Sequence, residues 1–377
     1  MVGKTKSTAE AELIWPQVHA FRMQRQHLVP AGKQDLIKVA GDIGGAQAQV
    51  MSAAELQLAV RTGRPVTDVR KALWNDRTLV KTWLMRGTLH LIPAKDLPVY
   101  SAAMSGHWMR ARNSWLKYFG LTEPELIKLI ETIGGALNGR PMTREEIIAV
   151  AGKGQSEKVR EWLKSGWGGF LKPVARAGGL CFGPSRGQSV TFVRPENWIG
   201  SWQKVDPEVA LAEVARRYLR AFGPATKHDF VRWWGTWSGV ANAAWSAIAS
   251  ELTTVSVEGF SAQILTSDLE RLPSAPTGSV QLLPAFDPYL MGYASRDHLF
   301  DPVHRSKVSR TAGWISPVVL VDGAVAGTWS YVVSGKTMRV SVQPFHRLTA
   351  QVRAKVKERA ESLAASLGLA KAELVAA

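Results

Sequence analysis

Three times along this chain an apolar helical run is closed by glycine, barred from continuing by proline and restarted at threonine. The three junctions are Gly63-Arg64-Pro65-Val66-Thr67-Asp68, Gly139-Arg140-Pro141-Met142-Thr143-Arg144 and Gly223-Pro224-Ala225-Thr226-Lys227-His228. Glycine supplies the left-handed residue that ends a helix, proline has no N–H to continue it, and a threonine hydroxyl caps the next one. The second copy completes a capping box, Thr143-Arg144-Glu145-Glu146. Each copy runs into a helical pattern rich in Trp, Leu and Arg or Lys, over residues 69–83, 159–177 and 230–249. Each then enters a β-rich stretch: 88–92, 180–182 with 190–193, and 254–257 with 260–265. Helix, turn, helix, hairpin is the order of a winged-helix module. The threonines stand 76 and 83 residues apart, a recurrence that marks tandem copies.

The last quarter of the chain has a different grammar. From residue 313 to 344 it alternates as strands do, with Asp322-Gly323 between β-branched runs and a second turn at Ser334-Gly335. Asp-Gly in that setting is a strong hairpin signal. Helix returns over 349–369, where Val352, Val356, Ala360, Leu363 and Leu367 make one apolar stripe. The segments expected are a first winged-helix module over 1–100, a second over 101–203, a third over 204–272, and a β-rich subdomain with hairpin and closing helix over 273–377.

Composition narrows the partners. The net charge is +16 over 377 residues, of which 46% are hydrophobic. A chain of this size buries a sizeable core, and a field of this sign favours polyanions: DNA, RNA or an acidic membrane. The one cysteine, Cys181, sits in an apolar stretch and reads as core. It excludes a disulfide framework within one chain. Met1-Val2-Gly3-Lys4-Thr5-Lys6 leads into no apolar signal segment, and no run of ~18 apolar residues occurs. The expectation is a soluble cytoplasmic protein. Gly3-Lys4-Thr5 and Gly335-Lys336-Thr337 mimic the end of a phosphate loop but lack its upstream glycine, and neither a Gly-x-Ser-x-Gly elbow nor a Gly-x-Gly-x-x-Gly fingerprint occurs.

Several groups are candidates for chemistry. Gln47 and Gln49 lie one residue apart in Gly44-Gly45-Ala46-Gln47-Ala48-Gln49-Val50-Met51-Ser52. On an extended segment their amides point the same way. They either hold a water, sugar or base, or cap the helix that follows. Arg86, Thr88 and His90 alternate, and line one face of a strand for phosphate contact or belong to a structural hairpin. Asp287, Asp297, His298, Asp301 and His304 gather acid and imidazole, yet no His-x-His or His-Glu-x-x-His spacing appears. Their readings are turn capping, a place beside a reactive site, or a metal-dependent nuclease built on Asp287, Asp297 and His298. The 15 tryptophans, among them Trp162, Trp167, Trp233, Trp234, Trp237 and Trp245, serve module cores or stack on bases.

The chain resembles the bacterial winged-helix DNA glycosylases of the AlkZ/YcaQ type. The resemblance is carried by residues 44–56 around Gln47-Ala48-Gln49, by Trp83-Leu84-Met85-Arg86-Gly87-Thr88-Leu89-His90-Leu91-Ile92-Pro93, by Leu283-Pro284-Ala285-Phe286-Asp287-Pro288-Tyr289 and by Gly313-Trp314-Ile315-Ser316-Pro317 through Asp322-Gly323. It implies an α+β fold of three tandem winged-helix modules in a C-shaped arrangement with a C-terminal antiparallel β-rich subdomain. It implies a monofunctional glycosylase that hydrolyses the N-glycosidic bond of N7-alkylated purines, bulky monoadducts or interstrand crosslinks. Gln47 and Gln49 would be catalytic, as the Gln-x-Gln branch requires, with no cofactor and no metal. Arg86, Thr88, His90 and the tip Asp322-Gly323 would contact DNA, although that tip carries no cation or wedge residue. Met51, Ser52, Asp287, Tyr289 and His298 are candidate neighbours of the active site. The partner would be double-stranded DNA bearing alkylated purines, met by a monomer in the bacterial cytoplasm at the nucleoid. Relatives in antibiotic producers protect the host from its own alkylating product. The competing reading is a non-enzymatic winged-helix regulator or DNA-shielding protein.

Overall fold

At two of the three glycine–proline–threonine junctions the threonine caps as expected, but neither Gly139 nor Gly223 takes the left-handed conformation expected of a helix stop. Thr143 caps the helix Arg144–Ala151, and Glu146 returns its carboxylate to the Thr143 N–H at 2.8 Å. Thr226 caps Lys227–Trp234, with Asp229 returning to the Thr226 N–H at 2.9 Å. In the first junction Gly63 closes the helix Met51–Thr62 at φ 63°, but the next helix, Val66–Trp74, starts two residues early and takes Thr67 into its first turn. The Asp68 N–H in that turn donates to the Pro65 carbonyl at 3.0 Å. The computed structural model describes residues 11–29, 34–105, 112–166, 168–275 and 278–375. Gly3-Lys4-Thr5 and Trp167 lie outside them.

The long helical runs break where the sequence weakens. Residues 69–83 are helical only to Trp74; Asn75-Asp76-Arg77 end the helix and Leu79–Trp83 is a strand. Residues 159–177 split into Glu157–Lys164 and Leu171–Arg176, and residues 230–249 split at Gly235, φ 76°. The expected β stretches are hairpins: Leu79–Trp83 with Leu89–Pro93, Cys181–Arg186 with Ser189–Val193, and Leu252–Val257 with Phe260–Leu265. Helix, helix, hairpin thus recurs three times in an α+β chain.

The chain divides into two compact units, residues 70–214 and residues 1–69 with 215–377. In the first, Trp83, Phe119, Leu129, Ile133, Phe170 and Phe192 belong to one buried cluster, and the Trp83 ring lies 4.8 Å from that of Phe182. Cys181 is fully buried, which pushes its thiol well above the ordinary range. In the second unit, Trp233, Trp234 and Trp245 are core, packed with Tyr218 and Phe230 at centroid distances of 5.0–6.3 Å. Trp162, in the other unit, is 39% exposed. One pairing had no local signal: Ala11–Leu13 adds to the third hairpin as a parallel strand, Ala11 opposite Val255.

The same unit holds a five-stranded sheet made of Val280–Leu283, Val318–Val321, Ala324–Ser334, Thr337–Pro344 and Lys371–Val375, antiparallel except for its last pair. The closing helix Ala350–Ser366 buries Val356, Ala360 and Leu363 of the expected stripe. Against that layer packs the helix Met51–Thr62 through Leu56 and Ala59, in a cluster with Leu282, Val319, Trp329 and Val340. The glutamine segment therefore leads into a helix packed on this apolar layer. Among the described residues no helix is long and apolar enough to cross a membrane.

Candidate active site

The glutamine segment is set by two consecutive left-handed glycines. The helix Leu36–Asp42 ends at Ile43, and Gly44 and Gly45 follow at φ 71° and 91°. The Gly45 N–H donates to the Ala40 carbonyl at 2.9 Å, closing the helix. A side chain at Gly44 would stand 3.0 Å from Cζ2 of Trp233, so the turn also needs glycine for close approach. Beyond it only Ala46–Gln47 is extended, and Gln49 lies in a bend. The alternation that would turn both amides to one side is thus cut short. Gln47 is 6% exposed, Ala48 is buried and Gln49 is exposed. Val50, which offers no side-chain bond, holds the cap position of Met51–Thr62. Met51 is half-buried and Ser52 exposed, so the exposed part of this segment is Gln49 and Ser52 at the positive end of a helix.

Behind the motif lies a polar frame that local sequence does not announce. Gln57 is fully buried; its Nε2 donates to the Ala285 carbonyl at 2.9 Å and toward the Gln47 carbonyl at 3.5 Å. One turn on, Arg61 donates from Nε to the Gln26 carbonyl (2.9 Å) and from Nη1 to the Gln57 carbonyl (2.8 Å). It then grips Asp287 with both Nη atoms, at 2.8 and 2.7 Å, with neither side chain exposed. Asp287 also accepts from the Tyr289 N–H at 3.0 Å. Tyr289 donates its hydroxyl to the Gly323 carbonyl at 2.9 Å, and burial pushes that phenol far up. Asp287 and Tyr289 are thus fastened to the frame that carries Gln47. The signal available in the sequence was the i, i+4 spacing of Gln57 and Arg61, two polar residues on the apolar face of the motif helix. Glu55, a third, is also buried.

The other expected residues fall in separate places. The tip Asp322-Gly323 is a turn, as expected, but it faces inward. Asp322 accepts from Gly278 N, Ser279 N and Ser279 Oγ at 2.7–3.0 Å, and a side chain at Gly323 would stand 2.5 Å from Cβ of His19. The turn that stands in solvent is the next one, where Val332 is 68% exposed and Val333 to Lys336 are exposed with it. His298 stacks on Trp15 at 4.5 Å, beside Arg22, which lies over Tyr293 at 4.1 Å and donates from Nη2 to the Pro224 carbonyl at 2.8 Å. Burial first, then Arg22, lowers His298 to about 2 and the neighbouring His19 to about 4. Asp297 pairs with Arg305 at 2.6 Å, Asp301 caps Pro302–His304, and His304 stacks on Phe345 at 3.9 Å. Among the described residues no group of three or more His, Cys, Asp or Glu could hold a metal ion.

In the unit of residues 70–214, the turn Met85–Gly87 precedes a strand that begins only at Leu89, so Arg86, Thr88 and His90 do not line one face. His90 is buried opposite Thr82. Its Nδ1 lies 3.0 Å from the Thr88 carbonyl and its Nε2 3.5 Å from Nη2 of Arg86. Burial, then the Arg86 charge, lowers it to about 3. A neutral ring donating from Nδ1 leaves Nε2 to accept from Arg86. His90 thereby steers Arg86, which is half-buried at the surface with Thr88.

Comparison with known proteins places the chain as a whole. The family model of AlkZ-like DNA glycosylases matches residues 40–366. The interstrand DNA cross-link repair glycosylase of Streptomyces sahachiroi is 41% identical over 329 residues, 84% of this chain and 88% of that protein. The structure of Streptomyces sahachiroi DNA glycosylase AlkZ superposes with a TM-score of 0.86 at 36% identity, covering 97% of this chain and all of that one.

Proposed function

Because the chain belongs to the AlkZ-like DNA glycosylase family, we propose that this DNA glycosylase hydrolyses the N-glycosidic bond of N7-alkylated purines, in bulky monoadducts or interstrand crosslinks, with Gln47 and Gln49 as its catalytic pair. The observation that carries the reading is the frame behind the motif. Gln57, Arg61 and Asp287 fasten Gln47, and the same frame occupies Asp287 as an ion-pair partner and Tyr289 as a hydrogen-bond donor. Of the two amides, that of Gln49 stands at the surface and that of Gln47 is buried beside it.

Neutral amides suit one kind of leaving group. A purine alkylated at N7 is cationic, so its departure needs no strong acid. The transition state gathers positive charge at C1′ and needs a water placed below it. An amide oxygen accepts from that water while a second amide donates to the sugar or the lesion. Two amides also avoid the cost of desolvating a carboxylate. With no lysine nucleophile invoked, the product is an abasic site. DNA is met through Arg86 and Thr88 on the first wing, and through the exposed turn at 332–336 rather than the inward-facing Asp322-Gly323. Acting as a cytoplasmic monomer at the nucleoid, the enzyme would repair lesions and shield its host from an alkylating natural product, in keeping with the crosslink repair named for the Streptomyces sahachiroi relative.

The test is incubation with duplex carrying an N7-alkylguanine adduct or a crosslink. Free adduct and abasic sites should accumulate above the spontaneous rate, undiminished in EDTA. The Gln47→Ala/Gln49→Ala double variant should bind the duplex as before and lose roughly 10²–10³ in kcat, the scale of a lost preorganised polar group. Full function without the glutamines, with tight binding to one operator, would make the protein a regulator instead.

A further inference from the structure

The turn Met85-Arg86-Gly87 has a second feature beyond its place on the first wing. Two cations from the helix Leu171–Arg176 converge on it. A side chain at Gly87 would meet Arg176 Nη2 at 3.4 Å and Lys172 Nζ at 3.7 Å. The two charged tips therefore lie within about 7 Å of each other, and Arg86 stands next in the chain. Lys172 and Arg176 are spaced i, i+4 and share one helix face, where like charges repel. Both are half-buried.

Among the described residues neither has a counter-ion. Among the described residues the charged group that acts on Lys172 is Arg176, and Arg176 is acted on by burial alone. Each is lowered from its ordinary range for those reasons. Several surface cations elsewhere in the same unit are matched: Arg140 and Arg186 share Glu146, Arg160 has Glu157, and Arg194 has Glu196. Two half-buried cations drawn together without a carboxylate are unfavourable in the chain alone, and an oxyanion seated against them reverses the sign. The point they converge on is one that any side chain at position 87 would fill.

We propose that Lys172 and Arg176, closing on the Gly87 turn beside Arg86, form a notch that binds a phosphodiester of the DNA backbone. The proposal rests on the reading that DNA is the substrate, and it adds a grip in the unit of residues 70–214. A phosphate contact carries no sequence or lesion information; it fixes register and supplies salt-dependent affinity.

The experiment uses the full-length protein and undamaged duplex, with affinity measured from about 50 to 200 mM salt. Lys172→Gln/Arg176→Gln should weaken binding equally for any sequence and lower the slope of log K against log salt by about 1. Lys172→Arg/Arg176→Lys should keep the wild-type slope. Lesion-bearing duplex should show a raised KM in the neutral variant with kcat at saturation unchanged. Thermal unfolding of each variant separates lost binding from lost fold. An unchanged slope in a folded neutral variant overturns the proposal, as does equal loss in the charge-conserving variant or a wild-type protein without affinity for duplex. A protein that binds duplex with this slope change and excises nothing refutes the glycosylase reading and leaves the notch standing.

Discussion

Replacing Arg61 by methionine should be among the most costly single changes in the unit that carries the glutamines. Arg61 is fully buried and makes four donor contacts: to the Gln26 and Gln57 carbonyls and to both oxygens of Asp287. Methionine fills most of the volume but leaves the Asp287 carboxylate charged and unpaired where no water reaches it. Breaking a buried pair from one side costs about 3–5 kcal/mol. Asp287→Asn strands the guanidinium in the same way while keeping an acceptor for the Tyr289 N–H. The double variant removes both charges, so it should recover at least about 2 kcal/mol of the summed cost. Urea unfolding followed by tryptophan fluorescence gives the four stabilities of the cycle. Single-turnover excision gives the functional counterpart: each single variant should lose turnover, because the ion pair ties the motif helix to the loop that bonds Gln57. Additive destabilisation, with coupling below about 0.5 kcal/mol, would refute the claim that Arg61 and Asp287 act as one unit.

Three further outcomes follow from the same frame. Gln57→Ala should cost about 1–3 kcal/mol, because the buried Ala285 carbonyl loses its donor, and should lower kcat more than it raises KM; wild-type kcat in this variant would mean that Gln47 is held by other contacts. Gly44→Ala should destabilise by at least about 1–2 kcal/mol, from the left-handed backbone alone, with the 3.0 Å approach to Trp233 adding to it; a neutral result in chemical denaturation would show that the turn relaxes freely. Acid should destabilise both units. His19, His298 and His90 are held neutral, at about 4, 2 and 3, so the unfolded chain binds protons that the native fold does not. Stability is full above the unfolded value near 6.5 and falls as pH drops toward each folded value. At pH 5 each histidine withdraws about 2 kcal/mol, so denaturation midpoints that do not move between pH 7.5 and 5 would contradict the burial of these rings.

What the sequence made legible was local. The Thr143 capping box, the threonine cap at Thr226, the glycine stop at Gly63, the Asp322-Gly323 turn and the stripe on the closing helix each depend on residues within a turn or two, and each stands where its pattern put it. Periodicity misjudged 79–83, where Leu, Val, Thr and Trp serve a buried strand as well as a helix. What a turn faces is not written in the turn: Asp-Gly specifies the hairpin, whereas its inward aim comes from Ser279, His19 and Tyr289. The frame behind the glutamines joins Arg61 to Asp287, 226 positions away, and pairing at that distance leaves no trace in a single sequence. Gln47-Ala48-Gln49 was recognisable as a motif, but its split exposure was not, because the strand ends after two residues.

The strand Ala11–Leu13, lying parallel to Leu252–Val257, bears on how the chain is made. During synthesis the first 69 residues leave the ribosome long before their partners, and all of residues 70–214 emerge in between as a contiguous unit able to close by itself. At ordinary elongation speeds that interval is on the order of ten seconds. Throughout it the motif helix, with Leu56 and Ala59 meant for a sheet not yet translated, presents bare apolar surface. That surface stays unpartnered until the strands of the sheet are made. A truncation that stops short of residue 252 would leave that first strand without a partner, however well the inserted unit folds.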